Sequence, residues 1–222
     1  VPGFAAAALR AADPARKAWR ILLVEDEERR LSSATRLLRA ELPDCTFDGC
    51  DFRSVERRLA EGAPDALFLP LNCTYPADAM AAVTNYVARG GTLVDMGGFS
   101  MYQPCHWKRT GRMNLTDGGG HADRRQLRFD VVSPYSDSRY PHQLKLRPFG
   151  SFEKIKVRGP LVNQRYFKPA GFKPGDVFEP LLVGTTSNGL EACSAAIICS
   201  NRAFMRSSMK RRDPRECRGH PA

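Results

Sequence analysis

The feature that most constrains this chain is the alternation, in roughly its first hundred residues, of short apolar runs with segments of helical spacing. The predicted strands are residues 19–24, 45–52, 65–71 and 92–96. The first and third runs are continuously apolar, which is typical of strands buried on both faces of a sheet. Strands that alternate with helices favour right-handed crossovers, so the pattern predicts an open parallel sheet flanked by helices.

Three helices are predicted between these strands. The first has an apolar face at helical spacing, formed by Leu31, Ala34, Leu37, Leu38 and Leu42. The second is expected to be capped by Ser54 and ended by Gly62. The third spans residues 78–89, and Gly90 and Gly91 close it.

Composition shifts divide the chain into three parts. Residues 1–17 are rich in Ala and Arg and are interpreted as a leader or frayed N-terminus. Residues 18–200 form the α/β domain, with an irregular, loop-rich excursion at about 101–190. Residues 201–222 form a basic tail without periodic apolar positions, and we expect it to be poorly structured and dispensable for stability.

The C-terminal part of the domain is predicted to be rich in β-structure. Short apolar segments alternate there with Pro and Gly, at residues 129–132, 155–157 and 178–183. Residues 192–199 form one further apolar strand.

Charge and cysteine content exclude several classes of protein. The formal net charge is +10, but much of the excess lies in the tail, and no basic stripe alternates with aromatic residues. The sequence therefore argues against a nucleic-acid partner. None of the seven cysteines forms a C-x-x-C pair, so no metal site and no cofactor are predicted. No run of eighteen apolar residues predicts a membrane span.

A ligand-binding site is expected where the parallel strands end, because open α/β sheets bind ligands outside the carboxyl ends of their strands. The residues that follow the predicted strands there are Glu25, Asp26, Asn72, Tyr75, Gly97, Gly98 and Tyr102. These are the candidate ligand-binding residues, and none of them is assigned a catalytic role.

The opening segment Ile21-Leu22-Leu23-Val24-Glu25-Asp26-Glu27 resembles the start of a response-regulator receiver domain. That family phosphorylates an aspartate at the end of its third strand. In this sequence Pro70 occupies the corresponding position, and proline is neither a nucleophile nor a metal ligand. The resemblance therefore implies at most a degenerate receiver.

A second resemblance covers residues 65–99 and, with the first strand, nearly half of the chain. The segments Leu69-Pro70-Leu71-Asn72, Tyr86-Val87-Ala88-Arg89-Gly90-Gly91-Thr92-Leu93-Val94 and Gly97-Gly98-Phe99 resemble the class I glutamine-amidotransferase-like domain. In particular, these segments resemble the variants of that domain that are attached to bacterial glycoside hydrolases. The resemblance implies a flavodoxin-like fold. It also places Met96 where true amidotransferases carry their nucleophilic cysteine, and a thioether cannot attack an amide.

The function predicted from this resemblance is a non-catalytic accessory or interaction domain in bacterial carbohydrate processing. Its partner would be a carbohydrate-active catalytic domain or a second copy of the chain. The Ala-rich start is compatible with a secreted or periplasmic location, and a cytoplasmic one also stays open.

One alternative is a hydrolase of a carbohydrate-like or amide substrate, with its site at the carboxyl edge of the sheet. The candidate nucleophiles for it are Cys73, which follows the third predicted strand, and Cys105, which adjoins His106. Residues adjacent in sequence usually point apart, which argues against a Cys105–His106 dyad. His106, His121 and His142 show no metal-ligand spacing.

Overall fold

The structure, a computed structural model, describes residues 2–13, 15–69, 74–95, 101, 103–106, 114–115, 121–132, 137–139, 144–150, 153, 161–163 and 166–199. Its α-helices are α1 (Pro2–Ala12), α2 (Glu28–Glu41), α3 (Val55–Glu61), α4 (Met80–Ala88) and α5 (His121–Gln126). Its strands are β1 (Arg20–Val24), β2 (Thr46–Cys50), β3 (Ala66–Leu69), β4 (Thr74–Pro76), β5 (Thr92–Asp95), β6 (Gln103–His106), β7 (Asn114–Leu115), β8 (Phe129–Val132), β9 (Leu144–Pro148), β10 (Leu161–Asn163), β11 (Tyr166–Pro169), β12 (Val177–Thr185) and β13 (Glu191–Cys199).

The four strands predicted from the first hundred residues form one parallel sheet. Its order is β2-β1-β3-β5, and each neighbouring pair runs parallel. The prediction of a parallel sheet flanked by helices is therefore confirmed.

Alternate residues of β1 and β3 point to opposite faces of this sheet, and each face has its own core. On one face Ile21, Leu23 and Phe68 pack with residues of α1 and α2. On the other, Leu22 and Leu67 pack with residues of α3 and α4. This two-sided burial explains why these strands are continuously apolar in sequence.

The N-terminal segment is part of the fold. Ala6 and Leu9 of α1 are buried in the same core cluster as Trp19 and Leu38. The sequence predicts a leader or frayed N-terminus at residues 1–17; in the structure, α1 packs its small apolar face against α2 and the sheet.

Two details of the predicted helices also need correction. Leu37 was assigned to the apolar face of α2, but it is 47% exposed, and Leu38 is the buried residue of that turn. Ser54 makes no side-chain cap of α3, since a 3-10 turn (Phe52–Ser54) precedes the helix and places Ser54 in helical conformation. The capping group is Asp51, whose carboxylate accepts a hydrogen bond from the Ser54 amide at 2.9 Å.

The turn from α4 into β5 explains the Tyr-x-x-x-Gly-Gly-Thr run. Gly90 has φ of 96°, which favours glycine. The Tyr86 hydroxyl lies 3.1 Å from the Thr92 amide, which donates to it. The Tyr86 ring covers Gly91 so closely that a Cβ there would lie 2.3 Å from the ring. The prediction that this glycine pair closes the helix is confirmed.

The segment after β5 was expected to be an exposed excursion, but its described residues contribute to the core. β6 pairs with β4 in parallel and with β7 in antiparallel orientation. Met101 and Cys105 are fully buried and belong to the same core cluster as Leu67 and Met80. The polar composition of residues 101–126 concealed these apolar anchors.

The C-terminal part forms a six-stranded sheet of order β10-β9-β12-β13-β11-β8, in which all described pairs are antiparallel. The strands predicted at 129–132, 178–183 and 192–199 are confirmed as β8, β12 and β13. Phe129 and Phe167 of this sheet stack edge to face at 5.7 Å and join the core cluster of the parallel sheet. The β segment predicted at 155–157 and the tail from residue 201 lie outside the described residues.

Within the described part of the chain, no helix is both long and apolar enough to cross a membrane.

Candidate functional site

The carboxyl ends of β1 and β2 are joined by the acidic residues that follow β1. Glu25 is only 4% exposed, and its carboxylate accepts a hydrogen bond from the Glu27 amide at 3.1 Å. Burial raises the pKa of Glu25, and the hydrogen bond from Glu27 opposes that shift. The Asp26 carboxylate accepts from the Phe52 amide at 2.8 Å, which ties the end of β1 to the segment after β2. The carboxylates of Glu25 and Asp26, which were predicted to bind a ligand, thus both accept hydrogen bonds from backbone amides of the fold.

Cys50 closes β2 at the same edge, and its carbonyl accepts a hydrogen bond from the Glu25 amide at 3.0 Å. It is buried, and this burial, with the charge of Asp51, raises its pKa to about 12. A thiol with that pKa is protonated at neutral pH and is a poor nucleophile.

Tyr75, the third predicted ligand residue that the structure describes, is fully buried in β4. Its hydroxyl donates a hydrogen bond to the Asp123 carboxylate of α5. Burial, together with that hydrogen bond, raises the pKa of Tyr75. Its side chain therefore joins β4 to α5 and is not presented to solvent.

The remaining predicted site residues, Asn72, Gly97, Gly98 and Tyr102, lie outside the described residues, as do Met96 and Pro70. The structure thus places Glu25, Asp26 and Tyr75 without testing the complete predicted site.

A buried ion pair lies beside Tyr75 and was missed by sequence reasoning. Arg124 is only 1% exposed, and its Nε lies 3.2 Å from Asp130 Oδ1. The same guanidinium donates to the Met101 carbonyl at 2.9 Å. Met101 has φ of 50°, unusual for a residue with a side chain, so the guanidinium helps to hold a strained turn. The sequence around Arg124 does not indicate that this residue is buried, since arginines near a helix end are usually solvated.

A second pair that the sequence did not reveal is formed by Asp78 and His106. Nδ1 of His106 lies 3.0 Å from Oδ1 of Asp78, and the two side chains are 41% and 25% exposed. Cys105 is fully buried, so the thiol and the imidazole lie on opposite faces of β6, as alternation along a strand requires. Pairing of β4 with β6 brings the two residues together, and that pairing is not visible in a sequence pattern.

Among the described residues, no cluster of three or more His, Cys, Asp or Glu side chains could hold a metal ion. The fold and these contacts define the chain as an α/β protein, in which a parallel sheet shares a core with an antiparallel one. Comparison with protein-family models, with curated proteins and with solved structures finds no match.

Proposed function

We propose that the chain is a glutamine-amidotransferase-like domain of flavodoxin-like fold that has lost glutaminase chemistry. It serves as an accessory or interaction domain in bacterial carbohydrate processing. The carbohydrate context comes from the sequence resemblance alone, which is an argument by analogy.

The strand order supports the flavodoxin-like part of this proposal. Counted along the parallel sheet, β2-β1-β3-β5 is the order 2-1-3-4, which is the beginning of the flavodoxin-like order. Helices on both faces agree with the same class.

The observation that best supports the loss of glutaminase activity is the burial of the described thiols Cys50 and Cys105. Cys50 and Cys105 are both buried, and the pKa of Cys50 is raised to about 12. In addition, Met96 stands in sequence where the resemblance expects the nucleophile. Nucleophilic attack on an amide needs an activated thiolate held by an oriented base.

Two measurements test this proposal. Purified full-length chain should release no glutamate from glutamine, whereas an ordinary enzyme turns over about ten times per second. Light scattering after size exclusion should show either a defined homo-oligomer or a monomer that forms a defined complex with a carbohydrate-active catalytic domain from the same locus. Steady glutamate release would contradict the loss of glutaminase chemistry, and a monomer that binds no such domain would contradict the accessory role.

A further inference from the structure

The half-exposed pair Asp78–His106 lies where two parallel strands end. Asp78 is in the 3-10 turn directly after β4, and His106 is the last residue of β6. β4 and β6 run parallel, with Pro76 beside Cys105, so their carboxyl ends meet at one edge. Glu25 and Tyr75 are buried, whereas this pair retains solvent access near the ends of these strands.

The contact with Asp78 bears on the tautomer of the imidazole, because an ionised carboxylate can only accept a hydrogen bond. A neutral imidazole that hydrogen-bonds through Nδ1 to ionised Asp78 carries its proton on Nδ1. This tautomer leaves a lone pair on Nε2.

We propose that Asp78 and His106 form a general-base site that activates water for the hydrolysis of a neutral ester. Nε2 takes a proton from water while the water oxygen forms a bond to the ester carbonyl carbon. The bond from that carbon to the alcohol oxygen then breaks, and the imidazolium returns the proton to the departing alcohol. One ester and one water give one carboxylic acid and one alcohol, and the imidazole ends neutral.

Two observations select water and a neutral substrate. The adjacent thiol of Cys105 is buried on the other face of β6, so it does not serve as the nucleophile for this imidazole. The negative charge of Asp78 disfavours an anionic substrate beside it. Ester hydrolysis at this pair is an activity separate from the accessory role, and it does not depend on the amidotransferase resemblance.

The first test is hydrolysis of p-nitrophenyl acetate by the full chain and its variants. A general base contributes about 10²–10⁴-fold, so His106→Gln should lower the rate by about a hundredfold or more. Asp78→Asn keeps the side-chain shape but lacks the charge, and it should also lower the rate. His142→Gln, a change at another histidine, is the matched control and should leave the rate unchanged.

The second test needs no variant. Long-range ¹H–¹⁵N spectra of the wild-type chain should show His106 protonated at Nδ1 and unprotonated at Nε2. The proposal is overturned by the opposite tautomer, by absence of ester hydrolysis, or by equal rates in wild type and His106→Gln. If either variant had a lower melting temperature but hydrolysed the ester at the wild-type rate, the pair would only stabilise the position of β6. None of these outcomes bears on the glutamine assay, so the two proposals fail separately.

Discussion

At the scale of single residues, burial decides what the polar side chains near the carboxyl edge can do. Glu25, Tyr75 and Cys50 all have a raised pKa, and the main cause in each case is burial. Sequence position predicted Glu25 and Tyr75 as ligand residues because each follows a strand. It could not predict their burial, which depends on elements distant in sequence, such as α5 over Tyr75.

Cys50 provides a test of this burial. Its folded pKa of about 12 exceeds the ordinary value of 9.0, so ionisation opposes folding as pH rises between these values. Its contribution to stability is complete below about pH 9 and declines above it. At about pH 8 iodoacetamide should label the half-buried Cys45 and leave Cys50 unmodified, with both labelled in urea. Mass spectrometry that finds native Cys50 labelled as fast as Cys45 would show that the thiol is accessible.

At the scale of elements, local sequence signals predicted most of the parallel half. Apolar runs located β1 and β3, and the glycine pair located the end of α4. The errors have local physical causes. Leu37 lies at the margin of the apolar stripe of α2, and Asp51 takes over capping because a 3-10 turn separates β2 from α3.

The close contact between Tyr86 and Gly91 can be tested by adding one methyl group. In Gly91→Ala the new Cβ would meet the Tyr86 ring at 2.3 Å, so the ring must move and its hydrogen bond to Thr92 is disturbed. We expect a loss of about 1–3 kcal/mol in the free energy of unfolding, measured with urea. Gly62→Ala is the control, since nothing lies within 4 Å of its Cβ and its φ is −178°. Equal stability of the two variants would show that the ring yields freely.

At the scale of the whole molecule, the parallel and antiparallel sheets share one core cluster, and a buried polar network lies beside it. Leu67, Met101 and Phe129 belong to the same cluster, and Arg124 of α5 joins the Met101 carbonyl to Asp130 of β8. The sequence predicted both the parallel sheet and a β-rich second part. It could not predict how the two sheets meet, because their shared cluster joins residues far apart in sequence, such as Leu67 of β3 and Phe129 of β8.

Removing one partner of the buried Arg124–Asp130 ion pair should destabilise the fold more than removing both partners. Arg124→Met removes the guanidinium from beside buried Asp130, and we expect a loss of about 3–5 kcal/mol in the free energy of unfolding. Arg124→Met combined with Asp130→Leu removes both charges and should be less destabilised than Arg124→Met alone. Urea denaturation of Arg124→Met, Asp130→Leu and the double variant measures the three losses. Strictly additive losses would indicate that the two side chains do not interact energetically.

The central proposal is that the carboxyl edge of the parallel sheet has no working thiol nucleophile, and covalent labelling tests it most directly. A glutamine analogue bearing an electrophilic diazoketone alkylates an activated thiolate that binds glutamine. The native chain is incubated with this analogue beside a working glutaminase, and intact mass is measured. We predict an adduct on the glutaminase and none on this chain, in keeping with buried Cys50 and Cys105 and with Met96 where the sequence resemblance expects the nucleophile. A stoichiometric adduct on any cysteine of the chain, prevented by excess glutamine, would contradict it.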